Sequence, residues 1–144
     1  MAAFKLTIDN LRLGEFDLGG VLYHAHYYHL YETAREAFLR SEGCPYPSLI
    51  AKKLHLAIVE AHQTFLAPVR YGDTLEVALS FSELRQTNVR VAYEISAITG
   101  AEPKSVHTGW TKLVCVDTSD ERFKASRFPE ILLKALKKYT EHAI

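Results

Sequence analysis

The chain has one long segment in which apolar residues recur with the period of a helix, and five segments in which they alternate as in a β-strand. This order of segments narrows the available folds more than any other feature of the chain. Over residues 27–42 the apolar side chains recur on one side and the charged ones fall mostly on the other. Gly43 follows, where a glycine commonly ends a helix. Because so long a helix must bury its apolar face, we predict an α+β fold in which one antiparallel sheet curls around it.

The strand segments alternate apolar and polar residues and are joined by short turns, which favours antiparallel pairing between neighbours. The first segment starts at Phe4 and slips in phase near Asp9, so we predict a bulge and a continuation to Leu13. A second change of phase falls near Ile58. The remaining predicted elements are strands over residues 54–67, 75–81, 89–97 and 106–116, a helical turn over 48–53 and a last helix that starts at Pro129.

Composition favours one domain over residues 1–144, since 144 residues is a usual domain length. The 17 basic and 17 acidic side chains cancel, which argues against binding to nucleic acid or to an anionic membrane surface. Cys44 and Cys115 have no CxxC spacing, and two free thiols fit a reducing compartment. No apolar run suits a signal peptide or a membrane span. The sequence therefore predicts a soluble cytoplasmic protein.

The segment just before the helix carries the candidate chemistry. Asp17 precedes Gly19 and Gly20, and a Tyr23-His24 step leads into the helix. Glycines permit positive φ and a close approach of the backbone, and a helix N-terminus favours negative charge. These residues therefore suit a substrate carbonyl whose oxygen gains negative charge during a reaction. A plainer interpretation is that Asp17 only caps the turn, which is a common role of aspartate.

One spaced set of residues runs through this segment, namely Asp17, Gly20, Val21, His24 and Tyr27, with Leu22 between them. The set resembles the signature Asp-x-x-Gly-(Val/Ile)-Val-x-His-x-x-Tyr of hotdog-fold acyl-CoA thioesterases of the 4-hydroxybenzoyl-CoA thioesterase and YbgC type. Glu32, Ala34 and Arg35 are similar to the Glu-x-Ala-Arg of the family helix, and the order of elements agrees along nearly the whole chain. Leu22 replaces the usual Val of the signature, and two further departures are Phe16, where the family usually has Thr or Cys, and Glu15, where it often has Asp.

The resemblance implies a hotdog fold, with an antiparallel five-stranded sheet wrapped around one long central helix. It implies a thioesterase that hydrolyses an acyl- or aroyl-CoA to the free acid and CoA, with either an aromatic or a short aliphatic acyl group. No metal or other cofactor is implied, since CoA enters as part of the substrate. The family builds its active sites between protomers, so the implied assembly is a homodimer or a homotetramer made of two dimers.

The resemblance assigns the catalytic roles to Asp17 and His24. Asp17 is expected to act as a general base toward water or as a nucleophile, and the residues leave both routes open. His24 is expected to hydrogen-bond the carbonyl or to orient water, or else to satisfy backbone groups at the helix entry. The expected oxyanion and substrate-binding residues are Gly20, Val21, Tyr23 and Tyr27.

The turn over residues 85–88 carries the expected CoA-binding residues, Arg85, Thr87 and Asn88. The resemblance implies that they help to hold the CoA phosphates, which suit the forked donors of arginine. An ordinary solvated hairpin turn would have the same composition. His26 and His29 have a spacing that metal ligands use, but no nearby Cys or Asp completes a site, so we predict no metal.

Two other functions fit the same sequence. One is a hotdog-fold hydratase or dehydratase that acts on CoA or acyl-carrier-protein thioesters and uses a histidine and a carboxylate for proton transfer at carbon. The Asp-x-x-Gly-Val run favours hydrolysis over this alternative. The other is a non-catalytic dimer that binds acyl-CoA, and the absence of thiol release would distinguish it from a hydrolase.

Overall fold

A computed structural model describes residues 3–119 and 121–140. The ends of the predicted domain, residues 1–2 and 141–144, lie outside this part of the chain. The elements, in chain order, are β1 (Phe4–Ile8), α1 (Tyr27–Ser41), α2 (Tyr46–Ala51), β2 (Leu54–Phe65), β3 (Leu75–Ser82), β4 (Asn88–Ala97), β5 (Lys104–Asp117), β6 (Lys124–Ala125) and α3 (Glu130–Lys138). Two single 3₁₀ turns, Leu13–Glu15 and His24–His26, lie between β1 and α1.

The strands form one antiparallel sheet in the order β1-β3-β4-β5-β2, which curls around α1 and confirms the α+β arrangement. The five predicted strands form this path. A sixth strand, β6, adds two residues beside the end of β5. The sequence did not predict β6 because two residues are too few to establish an alternating pattern.

Alternation along β3 and β4 explains why the sheet packs on α1. Every second residue of β3, from Leu75 to Phe81, is buried, and the residues between them are only partly buried. The rings of Phe4 on β1 and Phe81 on β3 both lie against Phe38 of α1, at centroid distances of 5.5 and 4.8 Å. The helix therefore fills the concave face of the sheet with its apolar side, as the sequence predicts.

Two predicted boundaries are wrong for local reasons. β1 ends at Ile8 and does not continue to Leu13, because the chain turns where the Arg12 amide donates to the Glu15 carboxylate at 3.2 Å. α2 begins at Tyr46, two residues before the predicted helical turn, because Pro45 serves as its N-cap. A proline in the first helical turn is also tolerated, since no amide hydrogen is required there.

β2 is a 12-residue edge strand that pairs with β5 on one side only within the described residues. Its register shifts between Ile58 and Glu60, which confirms the change of phase predicted near Ile58. Ile58, Val59 and Phe65 are 43%, 55% and 51% exposed, respectively. The free edge of β2 therefore combines unpaired backbone groups with several exposed apolar side chains.

Close packing at the centre of the sheet depends on Gly109 of β5. The side chain of Tyr31, which is fully buried, crosses over this position, and its ring stacks on that of Tyr93 at 3.8 Å. A Cβ atom at Gly109 would overlap the Tyr31 hydroxyl and lie 2.6 Å from the backbone oxygen of His62. Only glycine leaves room for the tyrosine in its present place.

We therefore expect Gly109→Ala to lower the free energy of unfolding by about 3 kcal/mol, because an extra carbon in a packed core forces shifts of side chains and backbone. Urea denaturation followed by circular dichroism measures the change. Gly14→Ala is the matched control, since a Cβ there meets nothing within 4 Å, and its effect should stay within about 0.5 kcal/mol. Equal stability of the two variants would contradict the packing described.

Candidate active site

The turn that follows the first 3₁₀ segment holds the Asp17 carboxylate in place. Asp17 Oδ1 accepts hydrogen bonds from the backbone amides of Gly19 and Val21, at 2.8 and 3.4 Å. The backbone oxygen of Asp17 accepts from the Gly20 amide at 3.0 Å, and Gly20 has a φ of +78°, which favours glycine. Asp17 thus caps the turn through one oxygen, while Oδ2 has no hydrogen bond to the described residues.

Backbone pairing fixes this turn against the segment that follows β2. The Leu22 amide donates to the Val69 oxygen at 2.8 Å, and Val21 forms a bridge with Arg70. The Tyr23 amide then donates to the Glu15 oxygen at 3.0 Å, after which the 3₁₀ turn His24–His26 leads directly into α1. The carboxylate and the start of the long helix are therefore anchored to the same end of the sheet.

A cavity of about 400 Å³ opens between this turn, the start of α1 and the end of β2. Four of the predicted site residues line it, namely Asp17, Val21, His24 and Tyr27. The other lining residues are Leu22, Phe65, Leu66, Ala67 and Pro68. One carboxylate and one imidazole therefore lie among the otherwise mainly apolar walls of the cavity.

Two predicted substrate-binding residues lie beside the cavity and do not line it. Gly20 is part of the turn that Asp17 caps. Tyr23 is 43% exposed, and its ring packs on that of His24 at a centroid distance of 4.3 Å. Gly20 therefore contacts the lining residue Asp17 through the backbone, and Tyr23 contacts the lining residue His24 through its ring.

The predicted CoA-binding residues lie at the other end of the sheet. Arg85 and Asn88 line a separate cleft of about 250 Å³ together with Glu60, Glu83, Arg90, Trp110 and Lys112. Thr87 is not among the lining residues, although its Oγ1 accepts a hydrogen bond from Asn88 Nδ2 at 3.1 Å. On β5, the position paired with Asn88 is seven residues from the one paired with Phe65, or about 23 Å along the strand.

The histidines at the helix start pair with each other. His26 Nδ1 and His29 Nδ1 are 3.1 Å apart, within hydrogen-bonding distance. Among residues 3–119 and 121–140 no group of three or more His, Cys, Asp or Glu side chains is arranged to hold a metal ion. None of the helices in this part of the chain has the length and apolarity needed to cross a membrane.

The structure adds one residue that sequence reasoning did not connect with the site, His107 of β5. Its ring stacks on Tyr27 at 4.2 Å, with 13° between the planes, and meets the edge of Phe65 at 5.1 Å. Its Nε2 lies 2.5 Å from the Tyr31 hydroxyl, and its exposed fraction is 0%. Burial lowers the pKa of His107 to about 4, so the ring is neutral at physiological pH.

Strand alternation could not reveal this position. A register shift between Ile95 and Ser96 changes the phase of β5 relative to β4. As a result both Val106 and His107 are buried, although neighbouring strand residues normally face opposite sides. A histidine in a strand sequence gives no further sign that it lies behind a cavity.

The lowered pKa of His107 makes stability depend on pH in a defined range. The unfolded chain takes up a proton on this residue near pH 6.5 and the folded chain only near pH 4, so acid favours unfolding between those values. Between pH 7 and 4 we expect the wild type to lose about 3 kcal/mol more than His107→Phe, which cannot take up the proton. Urea denaturation at each pH measures this difference, and parallel pH curves would refute it.

The chain is similar to known proteins in family, in sequence and in structure. Residues 11–136 match the family model of the "Thioesterase-like superfamily". The acyl-CoA thioester hydrolase YbgC of Escherichia coli O6:H1 is 31% identical over 101 residues, which is 70% of this chain and 73% of that protein. A putative esterase of Aquifex aeolicus is 33% identical over 79 residues, 55% of this chain. The match spans 62% of the length of that esterase, less than two thirds.

Among solved structures, Slr0204 of Synechocystis, a 1,4-dihydroxy-2-naphthoyl-CoA thioesterase, has the same architecture. Its TM-score is 0.83 at 26% sequence identity, and the superposition covers 94% of this chain and 96% of that one. The similarity therefore includes the sheet, the central helix and the connections between them.

Proposed function

Because the chain belongs to the thioesterase-like superfamily, we propose that it hydrolyses an acyl- or aroyl-CoA thioester to the free acid and CoA. Membership confirms the family resemblance that the spaced residues from Asp17 to Tyr27 carry, and the structural similarity confirms the hotdog fold. The names of two similar proteins support the reaction, since YbgC is called an acyl-CoA thioester hydrolase and Slr0204 acts on an aroyl-CoA.

The proposal depends on one observation, which is that Asp17 and the first residue of α1, Tyr27, line the same cavity. The first amides of a helix have no partners within the helix, and its dipole favours negative charge. Here the His26 amide already donates to the Tyr23 oxygen at 2.9 Å, so the other amides of this segment are the candidate donors. A thioester carbonyl placed against the residues from His24 to Tyr27 would have its developing oxyanion stabilised there. Asp17 Oδ2 would then be available for the carbonyl carbon or for a water beside it.

Two routes follow from this placement. As a general base, Asp17 takes a proton from water, the water oxygen bonds to the carbonyl carbon, and the C–S bond breaks to release CoA thiolate. As a nucleophile, the carboxylate attacks the carbon itself, CoA leaves, and water then hydrolyses the mixed anhydride. In either route His24 lines the cavity, where it can hydrogen-bond the carbonyl or orient the water.

We also propose that the protein is at least a homodimer joined through β2. β2 is an edge strand with exposed apolar side chains, and it offers an unpaired row of backbone donors and acceptors to a second copy. Antiparallel pairing reverses the direction of the second β2, so the 85–88 turn of one protomer approaches the Asp17 end of the other. Arg85, Thr87 and Asn88 would then hold the CoA phosphates across the interface, and a homotetramer made of two such dimers stays a prediction.

Asp17→Asn tests the catalytic assignment. The amide oxygen still accepts from the Gly19 amide, so the fold is kept, but the negative charge is lost. We expect hydrolysis to fall by at least about 100-fold, as for loss of a general base. Thiol release from a panel of acyl-CoA substrates, detected with Ellman's reagent, measures the rate.

The matched control is Asp117→Asn. Asp117 Oδ1 accepts from the Ser119 amide at 2.8 Å, the same distance as from the Gly19 amide to Asp17, but Asp117 is at the end of β5 and does not line the cavity. This variant should keep wild-type turnover. Near wild-type turnover of Asp17→Asn would assign the chemistry to another residue. Tight acyl-CoA binding without thiol release, or addition of water to an enoyl-CoA, would replace the hydrolase proposal with one of its alternatives.

Val59→Lys tests the dimer. Val59 is 55% exposed and lies at the bulge of the free edge, where a lysine would be desolvated by a second β2. We expect the variant to shift toward the monomer in sedimentation velocity, and Ile131→Lys, at a 45% exposed position of α3, to leave the assembly unchanged. A monomeric wild type, or a Val59→Lys dimer of unchanged affinity, would rule out assembly through β2.

A further inference from the structure

The aromatic wall of the cavity rests on a buried polar pair. Tyr27 and Phe65, which both line the cavity, meet edge to face at 5.2 Å, with 80° between their planes. Behind them lies His107, which stacks flat on Tyr27 and touches the edge of Phe65. The orientation of both wall residues therefore depends on where the imidazole ring sits.

The imidazole ring is in turn fixed by Tyr31 of α1. The Tyr31 hydroxyl is 2.5 Å from His107 Nε2, and its ring stacks on Tyr93 at 3.8 Å, with 1° between the planes. The Tyr93 hydroxyl is within 2.7 Å of Thr111 Oγ1 and accepts from Arg35 Nη1 at 2.9 Å. The stacking of its ring on Tyr93 and the hydrogen bond to His107 together hold Tyr31 in place, and with it the imidazole ring.

The buried pair of His107 and Tyr31 lowers stability, compared with apolar side chains in the same places. His107 Nδ1 is buried and has no hydrogen-bond partner among the described residues. A buried polar atom without a partner is unfavourable, whereas replacing both members of a hydrogen-bonded pair by apolar groups of the same shape is nearly neutral. The hydrogen bond between His107 and Tyr31 therefore supplies something that filling space alone does not.

We propose that His107 and Tyr31 are positioning residues of the acyl pocket, whose hydrogen bond fixes the Tyr27–Phe65 corner so that it accepts a flat aromatic acyl group. An aromatic ring in that corner can stack on one wall residue and meet the edge of the other, and both geometries are favourable. An acetyl group is too small to contact both walls and gains little from their orientation. The inference rests on the proposed hydrolysis of acyl-CoA and names the substrate class.

Tyr31→Phe is the first test, because it keeps every ring and removes only the hydroxyl. We expect KM for benzoyl-CoA to rise about fivefold with kcat changed less than about twofold, since the interaction lost is equal in ground and transition states. Both parameters for acetyl-CoA should stay within about twofold of wild type. The matched control is Tyr93→Phe, which removes another buried hydroxyl from the same stack but leaves the hydrogen bond to His107 in place.

The double variant Tyr31→Phe/His107→Phe tests whether the Tyr27–Phe65 corner needs the hydrogen bond behind it or only side chains that fill the space. In this variant two phenylalanine rings of similar size replace the tyrosine and the histidine, and neither has a polar atom to bury. The double variant should therefore fold even if Tyr31→Phe alone does not. The proposal predicts that the double variant shows the raised benzoyl-CoA KM. A wild-type ratio of benzoyl-CoA to acetyl-CoA specificity in the double variant would overturn the proposal. An equal change of that ratio in Tyr93→Phe would overturn it as well.

Failure of the proposed function is distinguishable from failure of this inference. If the wild type releases no thiol from any acyl-CoA, the same variants are compared by calorimetry with the non-hydrolysable thioethers S-benzyl-CoA and S-ethyl-CoA. Selective weakening of S-benzyl-CoA binding by about fivefold in Tyr31→Phe and in the double variant supports the inference. Equal binding by wild type and variants, or no binding of either thioether, contradicts it.

Discussion

Burial of the apolar side of α1 against the concave sheet is the interaction on which the rest of the structure depends. The helix cannot shift along its axis without moving Phe38 away from the rings of β1 and β3 that lie against it. Its first turn is consequently fixed relative to the end of β2, and the Asp17 turn is hydrogen-bonded to the segment just beyond. The position of the cavity follows from core packing together with the backbone hydrogen bonds of the turn.

The same packing connects the core of the protein with the wall of the cavity. Tyr31 belongs to the core of α1, yet its hydroxyl holds His107, and His107 supports Tyr27 at the cavity wall. Gly109 makes this possible by leaving space under the tyrosine. Residues that contact no substrate in the proposed mechanism are thereby able to control the shape of the pocket, because close-packed side chains transmit displacements to their neighbours.

Much of the fold could be predicted from the sequence, because alternation in β3 and β4 and the helical period of α1 report directly on burial. The end of β1 and the strand β6 could not be predicted, since the former depends on a local hydrogen bond at Glu15 and the latter has two residues. The motif predicted which residues surround Asp17. It could not reveal Phe65, which lines the cavity, or His107, which lies behind the cavity wall, because strand register places both of them. Nor could it reveal the distance to Arg85.

The proposed catalytic geometry can be seen in a crystal structure with an aroyl-CoA analogue in which a methylene group separates the carbonyl from sulfur. We expect the carbonyl oxygen at about 2.7–3.1 Å from a backbone amide at the start of α1. We expect Asp17 Oδ2 at about 3–3.5 Å from the carbonyl carbon or joined to it by one water. An analogue whose carbonyl lies elsewhere, with Asp17 facing only solvent, would contradict this geometry.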